Sequence, residues 1–146
     1  MTNPAEVPDP QLDFSSLVAP SLADFERMAE AAYARLPPAF RAMSQGIVIR
    51  IEDFPTDEVV EQMKVDSEFD LLGLFQGVGL AQGGALATTG SMPNMVFLYR
   101  RPILDYWVEH EETLGHLITH VLVHEIGHHF GLSDEDMEGI EAAAED

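Results

Sequence analysis

The sequence predicts a single α+β domain in which a small sheet packs against amphipathic helices. Three observations carry the prediction. Three short segments are rich in β-branched and aromatic residues; the others carry apolar residues at three- and four-residue spacing. A chain of 146 residues also holds one substantial core and not two. The domain is expected to span 21–146, with 1–20 as a proline-rich arm that has little periodic apolar pattern.

Ser21 with Asp24 has the form of a capping box, so a helix starts there. Leu22, Phe25, Ala29, Ala32 and Leu36 form its apolar face, and Pro37-Pro38 stops it. Gly46–Glu52 reads as a strand, and Pro55-Thr56 opens a short helix carrying Val59, Val60 and Met63. Leu71–Phe75 and Met95–Tyr99 read as two further strands. Between them, Gln76–Asn94 contains five glycines and reads as a loop, either a flap beside a cleft or a surface insertion. Pro102 suits the first position of a helix containing Ile103, Leu104, Tyr106 and Trp107. A longer helix follows Glu111-Glu112. Its apolar stripe is Leu114, Leu117, Ile118, Val121, Leu122 and Ile126, and Gly131 marks its end. Ser133-Asp-Glu-Asp136 signals the start of a last helix.

Composition excludes several classes of function. A formal charge of −19, with seven Lys and Arg, leaves too few cations to neutralise phosphates, so a nucleic-acid partner is not expected. The charge either serves solubility alone or repels acidic peptides while steering in neutral or basic unfolded segments. No apolar run approaches the ~18 residues of a membrane span, and no signal peptide opens the sequence. A cytoplasmic protein without a membrane partner is therefore expected. With no cysteine, strong metal ligands are confined to histidine and carboxylate.

The chemistry lies in His124-Glu-Ile-Gly-His128. Residues four apart share a helix face, so His124 and His128 can offer imidazole nitrogens to one metal ion, expected to be one Zn2+ per chain. Glu125 is placed to act as general base on a metal-bound water. The motif continues as His-Phe-Gly-Leu-Ser-Asp134. Gly131 lets the chain leave the helix and turn back, which makes Asp134 the expected third ligand. Asp136 and Glu138 are alternatives, and Asp134 could instead serve the next helix as a cap. His120 also lies four residues from His124. No glutamate follows it, so a role behind the ligands or in the core is expected. His129 reads as a hydrogen-bonding or cleft-lining residue and Met137 as core. Tyr99 and Arg100 could stabilise an oxyanion, although arginines in so acidic a chain readily find carboxylate partners.

The blocks Leu71–Gly77, Val96–Ile103 and His124–Asp134 resemble the small bacterial zincin-like metallopeptidases, or minimal zincins, over roughly Leu22 to Met137. The resemblance implies a compact fold with a small mixed sheet and a metal helix near the C-terminus. It also implies His124 and His128 as zinc ligands and Glu125 as general base. The connection between the Phe75 and Val96 blocks is longer here than is usual in the family. Three functions follow as expectations: a peptidase acting on peptide or unfolded protein, a metal-stabilised binding module without turnover, and an amidase for small molecules. The sequence leaves the oligomeric state open.

Overall fold

The computed structural model describes residues 14–77 and 93–145. Most of the expected arm and most of the glycine-rich segment lie outside those residues. Helix α1 (Leu22–Ala34) starts at the predicted capping box, with Ser21 and Asp24 exchanging both hydrogen bonds. The prolines that end it also begin α2 (Pro38–Met43), an element the sequence reading did not anticipate. A proline at the first helical position lacks an N–H that would have no partner there, so one dipeptide both stops and starts a helix. Tyr33 and Ser44 then hydrogen-bond at 2.6 Å, tying the two helices together.

Strand β1 (Val48–Glu52) begins two residues later than expected, after Gly46 turns the chain at φ +84°. Thr56 caps α3 (Asp57–Met63). Strand β2 (Gly73–Gln76) is shifted from the expected Leu71–Phe75, because a capped turn at Glu68–Asp70 occupies the chain up to Leu71. Strand β3 (Met95–Tyr99) runs as predicted and leads directly into α4 (Arg100–Val108). Pro102 is therefore third in α4 rather than first, still within the turn whose N–H groups have no helical partner. Helices α5 (Leu114–His129) and α6 (Asp134–Glu145) complete the fold.

The sheet order is β1-β3-β2, with β1 parallel and β2 antiparallel to β3, so the predicted small mixed sheet is what forms. Among the described residues β3 is the central strand and β2 lies at the edge. Tyr99 N–H donates to the Leu72 carbonyl, and Leu74 pairs with Phe97. Antiparallel ladders alternate, so Gly73 and Phe75 turn their backbone groups away from β3. Val96 and Leu98 are fully buried beneath α5, beside Phe25, Ile103, Ile118, Leu122 and Ile126. Helix α5 crosses β2 closely at Gly73. A Cβ there would lie 2.8 Å from Val121 Cγ1 and 3.0 Å from the Phe97 carbonyl oxygen.

Candidate metal centre

Helix α5 starts at Thr113, whose hydroxyl accepts from His116 N–H; Glu111 and Glu112 lie just outside it. Its end is a Schellman turn. Gly131 stands at φ +79°, its N–H donates to the His128 carbonyl, and Leu132 N–H donates to the Gly127 carbonyl. All six predicted stripe residues, Leu114 to Ile126, are buried. Beside that face runs the row His116, His120, His124 and His128, which meets α6 as it returns antiparallel after the turn.

The turn delivers Asp134 to His128, with Oδ1 at 3.9 Å from Nε2. His124, His128 and Asp134 each offer one ligand atom within 4.8 Å of the others. Donors on a tetrahedral zinc with bonds of about 2.0–2.1 Å lie roughly 3.3 Å apart, so two imidazoles and a carboxylate this close suit the ion. Asp136 is committed elsewhere: Ser133 and Asp136 form the capping box of α6, which leaves Asp134 without a capping duty. Glu138 is exposed and belongs to neither ligand group found among the described residues.

Burial lowers the His124 pKa, reinforced by His120 and outweighing the pull of Glu141. The imidazole is therefore held in the neutral form that binds metal. Burial also raises the Glu125 carboxyl, opposed by His128 and by the neighbouring Phe75 backbone N–H. That N–H is one of the outward groups of β2, so Glu125 sits where the metal helix meets the sheet edge.

His129 stacks on Phe75, with ring centroids 3.9 Å apart, and so holds α5 to β2. Tyr99 is buried, and its pKa is pushed up to about 12 by burial, then by Glu52 and Glu125. Arg100 is not brought to the histidines. Its guanidinium is held by Asp53 at 3.0 Å and by the Pro20 carbonyl at 2.6 Å. His120 Nδ1 lies 3.0 Å from Glu141 Oε1.

Glu141 escaped the sequence reading. The signal was available in the spacing of Asp134, Glu138, Glu141 and Glu145, which places an acidic stripe on one face of α6. Met137 is fully buried in the gap left by Gly127 between the two motif histidines.

No helix among the described residues is long and apolar enough to cross a membrane. No curated protein matches the chain. The family model of zincin-like metallopeptidases matches residues 44–144, which takes in the whole sheet, the histidine helix and nearly all of α6. With its mixed sheet, its HExxH helix and the returning Asp134 all inside that match, the chain belongs to the zincin-like metallopeptidase family.

Proposed function

We propose that the chain is a zinc-dependent peptidase whose ion, one per chain, is held by His124, His128 and Asp134. The observation that carries this is the position of Glu125. It lies next to a ligand histidine, half-buried, and beside the Phe75 N–H of β2. When bound, zinc would supply an activated water and polarise the scissile carbonyl. The Glu125 carboxylate takes a proton from that water and returns it to the leaving amine nitrogen. Burial makes that carboxylate a stronger base toward the water. The outward backbone groups of β2 other than the Phe75 N–H offer a pairing edge for an extended peptide, a mode of recognition largely blind to side chains. The acidic surface favours neutral or basic unfolded segments in the cytoplasm as substrates.

The test is Glu125→Gln in a peptide-library assay. The variant should keep its zinc and lose roughly 10²–10⁴-fold in turnover; undiminished cleavage would remove the mechanism. A second reading, a metal-stabilised binding module, is favoured by the openness of the site, since the His128 and Asp134 side chains are 61% and 85% exposed. Zinc that raises the melting temperature without any cleavage across the library would establish it instead.

A further inference from the structure

The four histidines of α5 and the acidic face of α6 form more than one ligand set. His120, His124 and Glu141 also place one ligand atom each within 4.8 Å of the others. Glu141 is the unusual member, a carboxylate buried to nine-tenths between two helices. One oxygen, Oε1, is engaged by His120. The other, Oε2, is fully buried and has no hydrogen-bond donor; it points at His124 Nε2 from 3.1 Å without the alignment of a hydrogen bond. A buried charged oxygen left in this way is costly, and coordination of a cation is one of the few ways to satisfy it. The His120 and His124 rings lie 4.0 Å apart, tilted by 33°, with both edges near that carboxylate.

We infer that His120, His124 and Glu141 form a second position for a divalent first-row ion such as zinc, in competition with the His124–His128–Asp134 position. The competition follows from the shared residue. A neutral imidazole has one free lone pair, because its other nitrogen carries the proton, so His124 serves one ion at a time. The donor set of two imidazoles and a carboxylate is the same in both positions. The second lies about one helical turn, ~5.4 Å, back along α5, away from His128. An ion there removes His124 from the HExxH set and is a resting or inhibited state of the proposed enzyme. That consequence rests on the peptidase reading; the ion position itself does not.

The experiment is zinc titration by calorimetry and elemental analysis of the full chain, its His120→Asn and His128→Asn variants, and the double variant. Circular dichroism checks the fold. The His120 and His128 side chains are 46% and 61% exposed, so neither substitution removes core. Wild type and each single variant should bind about one ion per chain, and the double variant none. If His128→Asn binds none while His120→Asn binds one, the second position is refuted and the HExxH site stands. If wild type binds two, the competition is refuted. The reverse pattern, with His128→Asn loaded and His120→Asn empty, keeps this position and overturns the HExxH site. No binding in any chain overturns both. Should the double variant misfold, Glu141→Gln with His128→Asn takes its place, with the same expected loss.

Discussion

Gly127, one of the two unspecified positions inside HExxH, is predicted to be fixed by packing, and the prediction has a distinctive sign. A Cβ at Gly127 would lie 2.5 Å from Met137 Sδ and 2.9 Å from its Cγ, and Met137 is fully buried. In an exposed helix, Gly→Ala stabilises by about 0.8–1 kcal/mol. Here the added methyl meets the middle of a confined side chain, and overpacking of this kind costs about 1–3 kcal/mol. The expected net result for Gly127→Ala is a loss of about 1 kcal/mol, or a melting temperature lower by roughly 3 °C. Met137→Ala alone should cost about 2–5 kcal/mol through the cavity it leaves. In that background the clash is gone, so adding Gly127→Ala should restore about 1 kcal/mol. The four proteins are compared by urea unfolding in the presence of chelator. The coupling should approach 2 kcal/mol, well above the ~0.3–0.5 kcal/mol scatter of independent sites. Additivity within that scatter, or a Gly127→Ala variant more stable than wild type, would refute the packing argument.

Two paired substitutions separate metal binding from capping at the α5–α6 turn. Ser133→Ala should cost about 1 kcal/mol of stability and leave zinc affinity unchanged, because Ser133 caps α6. Asp134→Asn should leave the metal-free protein as stable as before, its side chain being 85% exposed, and weaken zinc by at least roughly tenfold; calorimetry and thermal melts read both, and the opposite pattern assigns Asp134 to the cap. Tyr99 gives a pH prediction. Its folded pKa of about 12 lies above the ordinary 10.0, so the fold holds the proton more tightly than the unfolded chain does. The associated stability is fully present below pH 10.0 and is lost as pH rises through about 12. Phenolate absorbance should show one late-titrating tyrosine that Tyr99→Phe removes; an unchanged titration curve in the variant would contradict the burial argument.

The local features were legible in the sequence because local chemistry sets them. Ser21 with Asp24 makes its capping box within one turn of chain, and Gly131 ends α5 because the left-handed turn there suits a residue without a Cβ. The stripe from Leu114 to Ile126 and the row of histidines beside it both follow from helical period alone. The position of Glu125 beside His124 and the sharing of one face by His124 and His128 follow from that same period. Errors fell where neighbouring segments compete for the same residues, as at Leu71, claimed by a capped turn before the strand, and at Pro38, which starts a helix while ending another.

Only tertiary structure decided the rest, since it depends on which elements meet. The order β1-β3-β2 puts β2 outermost among the described strands and turns the Phe75 N–H to the side of Glu125, a consequence of ladder parity across residues far apart in the chain. The return of α6 against α5 brings Glu141 to His120 and His124 and seats Met137 over Gly127. Sequence thus determined which histidines share a face, through spacing along a single helix. Packing between helices determined which carboxylates face them, because that distance is set by the turn and the core and not by the number of residues between.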